Sequence, residues 1–494
     1  MGLTNRRTEF GLAAIHGTAW RYVSYFSGKF MVFLSTIVLA RLLAKDDFGV
    51  VGYALTAIAF LDVASDLGVV EAIVYYKEDK RTYSTAFWIS LGIGIFLFGL
   101  SWALAPLLAI YFRDERVVEV NRIIALTFPF TALGSTHEAI LRKNLAFSRI
   151  TIPVFFRALT KGLASIVLAL MGFGAWSLVW GQLSGTLIST ILLWLITPWR
   201  PTFEFDGGRA RALLSYGVRN IGIDFLGMLL LNLDYWLVGR YLGVVALGVY
   251  TLSYRLPELL ILQFARIVSQ VVFPIYTKIR DVPGSLAHGF ERATAYVSLV
   301  TIPLGIGLAL LSRPFTLVFL TEKWADAIPV IQAISLYAML LSLMHNASSV
   351  YKAQGNFRVM TWLGLTRLVL LFPALWWAVA VARSIVAVGW MHALIALFGV
   401  VLGLIVAARM LSLPLSELFG SLWPAMFAGC IMAVVLFAVV ELTNTLHPAI
   451  QLLLAIPSGA LVYGVVLWFC SRNTVLDVIQ RLQSSMAHWR TKIA

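Results

Sequence analysis

The sequence predicts an all-α, polytopic membrane protein with about 14 transmembrane helices. Three observations predict it. Of 494 residues, 60% are hydrophobic and 13% charged, whereas a soluble domain carries about 25% charged residues. The apolar residues come in runs of about 18–25, the length that crosses a bilayer. Lys and Arg gather in alternate connections, as they do in cytoplasmic loops. No aqueous fold of this length hides so much apolar surface.

The runs lie near 15–39, 48–74, 84–109, 117–140, 152–171, 173–197, 214–238, 246–273, 294–312, 328–350, 361–382, 385–408, 420–440 and 449–470. An even number of spans puts both termini on one side. On that side stand Arg6, Arg7, Lys77, Lys80, Arg81, Arg142, Lys143, Arg149, Arg200, Arg209 and Arg211, and most of the later Lys and Arg. The opposite loops hold only Arg41, Lys45, Arg113, Arg116, Arg240, Arg313, Lys323 and Arg383. The bias places the N- and C-termini in the cytoplasm. Every connection is short; the longest, near 198–213 and 274–293, are cytoplasmic. In the tail Thr474–Ala494, Val475, Val478, Ile479, Leu482 and Trp489 recur at helical spacing, with Arg481 and Arg490 on another face. That pattern predicts an interfacial helix on the inner leaflet. Arg6 and Arg7 lead into a polar-studded helix with no clean cleavage site, so no removable signal peptide is expected.

The net charge of +14 belongs to those loops. No contiguous basic face lies outside the apolar runs, so nucleic acid is not an expected partner. Cys430 and Cys470 each sit inside an apolar run. Two cysteines make no metal set, and they read as small apolar filler.

An internal repeat is visible. Arg41, Leu43, Gly49 and Val50 recur as Arg240, Leu242, Gly248 and Val249 at one constant offset, and Gly28 recurs as Gly227. Six spans separate the copies, so both have the same topology and are related by an axis along the membrane normal. The repeat predicts two six-helix lobes, residues 1–200 (spans one to six) and 201–408 (spans seven to twelve). Residues 409–494 then add spans thirteen and fourteen and the tail.

Ionisable residues inside spans are costly and usually face a wet cavity or one another. The basic ones are Arg21, Lys29, Arg157, Lys161, Arg219, Arg255, Arg266 and Arg367; the acidic ones are Asp62, Asp66, Glu71, Glu138, Asp224, Asp234 and Glu258. In span one Gly17, Arg21, Ser24, Gly28 and Ser35 form a polar helical face beside Lys29. In span five Arg157 and Lys161 share a face with Ser165. In span eight Arg255, Glu258 and Arg266 share a face, and Pro257 among them removes a backbone hydrogen bond near mid-span. Interrupted helices often mark a transporter's binding site. Counting outward from the turn near residue 44 sets Arg21 level with Asp66 and Lys29 level with Asp62. Counting from 243 brings Arg219 and Asp224 near Arg266.

Two readings follow. The charges neutralise one another and hold helices together, as Arg21 and Asp66 could, or they bind a ligand. Span five carries two cations and no acid, which favours an anionic ligand. The candidate cavity cations are Arg21, Lys29, Arg157, Lys161, Arg255 and Arg266. The candidate coupling or structural acids are Asp62, Asp66, Asp224 and Glu258. No catalytic set, metal site or cofactor is expected.

Several motifs carry a family resemblance: Thr18-Ala19-Trp20, Leu39-Ala40-Arg41-Leu42-Leu43, Asp47-Phe48-Gly49, Ser65-Asp66-Leu67-Gly68, Ala86-Phe87-Trp88 and Ala105-Pro106. Further along come Asn232-Leu233-Asp234, Leu247-Gly248-Val249-Tyr250, Phe273-Pro274, Glu322-Lys323-Trp324 and Ile328-Pro329-Val330. From about residue 10 to 408 the chain resembles the Wzx-type polysaccharide flippases of the multidrug/oligosaccharidyl-lipid/polysaccharide exporter superfamily, in the branch serving colanic acid and other exopolysaccharides. The resemblance implies two lobes around a central cavity and alternating access in the bacterial inner membrane. It implies an undecaprenyl-pyrophosphate-linked oligosaccharide as cargo, membrane lipid around it, and a polysaccharide polymerase or export machinery as neighbour. It supplies no invariant site residues; the positions above come from the helix faces.

Two alternatives stand beside this reading. One is export of drugs or small metabolites within the same superfamily. The other is a membrane glycosyltransferase or polymerase. For that enzyme the one acidic pair near a spaced motif is Glu204/Asp206, beside Gly207-Gly208, which otherwise reads as a solvated turn.

Overall fold

The computed structural model describes residues 28–65, 68–75, 79–218 and 221–472. Arg21, Asp66, Arg219 and the tail beyond residue 472 lie outside the described residues, as do the side chains of Glu71 and Asp224. Among the described residues the chain is helical throughout, without strands. It is a multi-pass membrane fold: 11 helical segments are long and apolar enough to cross a bilayer. One of them, Phe225–Ile279, runs for 55 residues and holds two spans, as shown below.

The helices are α1 (28–42), α2 (Lys45–Asp62), α3 (Val69–Tyr75), α4 (Lys80–Phe112), α5 (Arg116–Ile124), α6 (Thr127–Lys143), α7 (Phe147–Leu170), α8 (Ala175–Ile196) and α9 (Gly207–Val218). Then follow α10 (Ile221–Pro257), a π-helical turn (Glu258–Leu262), α11 (Gln263–Ile279), α12 (Ser285–Leu310), α13 (Ser312–Phe315) and α14 (Ile328–Ala353). The last are α15 (Phe357–Ala380), α16 (Ile385–Met410), α17 (Leu415–Leu442) and α18 (Pro448–Cys470).

Two expected spans are interrupted, and the turn expected near residue 243 lies inside one long helical segment. The second, near 48–74, breaks after Asp62 and restarts as α3 behind Gly68, whose φ of 67° suits glycine. The fourth breaks between α5 and α6. Pro129 there has no N–H to donate to the preceding turn, and the helix restarts at Thr127. In α10 the break is Gly243, at φ 86° and ψ −178°. The Tyr250 hydroxyl donates to Asp234 Oδ2 at 2.5 Å across that residue. Sixteen residues of straight helix would hold the two about 24 Å apart. The chain therefore folds back at Gly243, and α10 is a helical hairpin. Pro257 ends its second arm, and the wide turn Glu258–Leu262 follows, as the missing N–H requires.

The chain divides into two compact units: residues 1–252 with 375–385, and residues 253–374 with 386–494. In unit 1 the α2 and α10 hairpin tips cross closely. A Cβ on Gly49 would stand 2.0 Å from the Val244 carbonyl oxygen, and one on Gly248 would stand 1.8 Å from that of Lys45. Only glycine permits this backbone approach. In unit 2, Phe290, Val297, Ala347, Val350, Leu404 and Ala407 form one buried core. Ala428, Met432, Leu436, Leu452 and Ala455 of α17 and α18 form another.

Candidate functional site: a polar cavity in unit 1

Helix α6 presents Thr131, Ser135, Glu138 and Arg142 on one face at spacings of four, three and four. Helix α8 presents Thr186, Ser189, Thr190 and Leu193 in the same manner. These two faces, with Asp62 and Ser65 at and just beyond the end of α2, Phe128 of α6 and Arg157 of α7, line a cavity of about 180 Å³. Gly94 and Gly134 also line it, and their lack of a side chain lets α4 and α8 pack closely on α6.

Within the cavity Arg142 Nη2 donates to Glu138 Oε1 at 2.6 Å, one turn away. Arg157 forms no ion pair among the described residues, and Glu138 and Asp62 are the carboxylates in its electrostatic reach. Lys161, one turn along α7, donates to Gln182 Oε1 at 2.6 Å. Lys161 therefore meets α8 rather than the cavity lining.

A close α7–α8 contact sets these positions. A Cβ on Gly185 would lie 2.7 Å from the Arg157 carbonyl oxygen, and one on Gly181 would lie 2.9 Å from that of Lys161. Gly181 and Gly185 are four apart, the small-xxx-small spacing of close membrane helix pairs. On another side a Cβ on Gly28 of α1 would lie 3.9 Å from that of Ala158, and Ser35 packs at Gly162. Lys29, next to Gly28, thus stands on a helix packed along the turns that carry Arg157 and Lys161.

In unit 2, Glu258 lies between two arginines: Arg255 Nη1 at 3.3 Å and Arg266 Nη1 at 3.8 Å. The shared face expected from spacing is real, and the group carries one net positive charge. Arg367 is buried and donates from Nη2 to the Tyr337 hydroxyl at 3.0 Å.

The sequence reading did not single out the hydroxyl faces of α6 and α8. Their signal was available as Ser and Thr at helical spacing inside apolar runs. Glu204 and Asp206 also have structural partners. Asp206 caps α9, accepting from the N–H groups of Gly208 at 2.9 Å and Arg209 at 3.1 Å. Glu204 pairs with Arg81 at 3.1 Å. Among the described residues, no group of three or more His, Cys, Asp or Glu could hold a metal ion.

Apolar helices of membrane length around a charged, hydroxyl-lined cavity define a membrane transporter fold. Residues 38–329 match the family described as polysaccharide biosynthesis protein, and the chain belongs to that family. It is 27% identical over 413 residues to the teichuronic acid biosynthesis protein TuaB of Bacillus subtilis (strain 168), covering 82% of this chain and 84% of the relative. It is 24% identical over 464 residues to the succinoglycan biosynthesis transport protein ExoT of Rhizobium meliloti (strain 1021), covering 92% of each. Its fold matches that of the Lipid II flippase MurJ in an inward closed conformation with a TM-score of 0.76, at 16% identity, over 92% of this chain and 99% of that one.

Proposed function

We propose that this chain flips undecaprenyl-pyrophosphate-linked oligosaccharide repeat units across the bacterial inner membrane, for exopolysaccharide, capsule or O-antigen assembly. The single observation that carries the reading is the unit 1 cavity, a hydroxyl-rich, charged recess within helices of membrane length. Such a lining has no use in lipid, but it shields a sugar headgroup while the prenyl tail stays in the bilayer. Lys29, Arg157 and Lys161 in unit 1, and Arg255 and Arg266 in unit 2, serve the anionic headgroup through charge-assisted hydrogen bonds. Arg21 joins them by its place on the face of span one. Asp62, Asp66, Asp224 and Glu258 balance these cations or carry a coupling ion. Two six-helix lobes, 1–200 and 201–408, alternate access, and both termini are cytoplasmic. The protein does no covalent chemistry; the capping role of Asp206 and the Arg81 pair of Glu204 support that reading.

Export of cationic drugs favours a cavity with excess acid. Among the described residues this cavity balances Arg142 and Arg157 against Asp62 and Glu138 and so lacks that excess.

The test is transport by the full chain in proteoliposomes. A fluorescent polyprenyl-pyrophosphate-linked oligosaccharide should become accessible to an impermeant quencher on the far side. Transport of a cationic drug with no movement of the glycolipid would overturn the proposal.

A further inference from the structure

We infer that the unit 1 cavity is a subsite for one pyranose ring of the cargo, not for its diphosphate. The inference rests on the flippase reading and concerns how the headgroup is divided. Among the described residues the charges of the cavity lining cancel: Arg142 and Arg157 stand against Asp62 and Glu138. A diphosphate brings about two negative charges, and among the described lining residues no surplus of cations offsets their desolvation. A sugar ring brings hydroxyls, each both donor and acceptor. Asp62 offers carboxylate oxygens, Arg157 offers a planar set of N–H donors, and Ser135 of α6 and Ser189 of α8 offer hydroxyls.

The lining also has an apolar side. Phe128, itself 4% exposed, forms part of the wall beside Gly94 and Ala132. A pyranose has the matching pair of surfaces, a rim of hydroxyls and an apolar C–H face. A few convergent polar groups on an otherwise apolar wall give orientation and specificity. The cavity measures about 180 Å³, and a water needs only about 10–15 Å³ by the same measure. That is room for a monosaccharide.

The test uses the full-length chain in nanodiscs, with Cys430→Ser and Cys470→Ser. Single cysteines enter as Ser135→Cys on α6 or Ser189→Cys on α8, so that failure of one to fold leaves the other. The rate of modification by a small methanethiosulfonate is then measured. The competitors are methyl glucoside, methyl galactoside, methyl glucuronoside and inorganic pyrophosphate, on the order of 100 mM because one ring binds weakly. At least one glycoside should slow modification about threefold or more, and pyrophosphate should not. Arg157→Gln and Asp62→Asn should each weaken that protection. Protection by pyrophosphate alone, or by none of the four, overturns the subsite. The proteoliposome assay separates the two readings. Transport of the glycolipid without glycoside protection overturns only the subsite. Protection without transport keeps the subsite and overturns flipping.

Discussion

Lys161 and Arg157 stand one turn apart on α7 and meet different surroundings. Lys161 gives a hydrogen bond to Gln182, and Arg157 lines the cavity. A charge-assisted hydrogen bond to cargo is worth about 1.5–3 kcal/mol. Arg157→Ala should therefore slow transport by about tenfold or more while leaving the amount of inserted protein unchanged, measured by transport and by fluorescence-detected size exclusion. Glu138 and Arg142 should behave oppositely. Arg142→Ala strands a carboxylate in the cavity and should lower the yield of folded protein, and adding Glu138→Ala should restore part of it. Outside the membrane, Asp79 caps α4. The Arg81 backbone N–H and then the Arg209 guanidinium hold its carboxyl below the ordinary range. The N–H groups of Arg209 and Gly208 lower Asp206 in the same way. The undocked loop, with ordinary carboxyls near pH 3.9, binds protons more readily than the docked one. Docking of residues 200–209 should thus be unchanged from neutral pH down to about 4.5 and be lost as pH falls below the ordinary value through the lowered one. Amide hydrogen exchange of that loop checks this, and Asp79→Asn should remove part of the acid dependence.

Helix α7 owes its place to two glycines on its neighbour. At Gly185 the nearest atom to a new Cβ is backbone, at 2.7 Å, which no rotamer change can relieve. Gly185→Leu should push α7 off α8, cost about 1–3 kcal/mol of stability and reduce transport. Thermal unfolding of the detergent-solubilised chain measures the first. The hairpin tips offer a second such test. Gly49 meets Val244 and Gly248 meets Lys45, and each contact maps onto the other through the sequence repeat. That reciprocity joins residues matched by the sequence repeat. Gly49→Leu and Gly248→Leu should lower the melting temperature by similar amounts; a neutral substitution at either position would count against the repeat.

At the scale of the molecule, the arrangement of Lys and Arg predicts which ends face the cytoplasm. Cysteines at positions 115 and 443 should react with an impermeant thiol reagent added outside intact cells, and those at 205 and 485 should not. The reverse pattern would invert the orientation. The cavity bears on this prediction. It lies near the α6–α7 turn, where Arg142, Lys143 and Arg149 gather.

The sequence by itself determined the all-helical membrane class, the positions of most spans, the hairpin at 243 and the grouping of Arg255, Glu258 and Arg266. Those properties follow from hydropathy over bilayer-length windows and from the 3.6-residue period, both local along the chain. It also supported the family resemblance, through motif order. The breaks inside the second and fourth spans were less legible, because hydropathy averages over a window and passes across a turn such as Gly68. Only the tertiary structure decided that Arg157 lines a cavity while Lys161 bonds Gln182 on α8. Only it brought the hydroxyl faces of α6 and α8 together with Asp62. A helix face says which side chains point the same way, but not which neighbour occupies that side. That choice depends on close contacts between distant residues, such as Gly185 against Arg157, whose geometry no local period encodes.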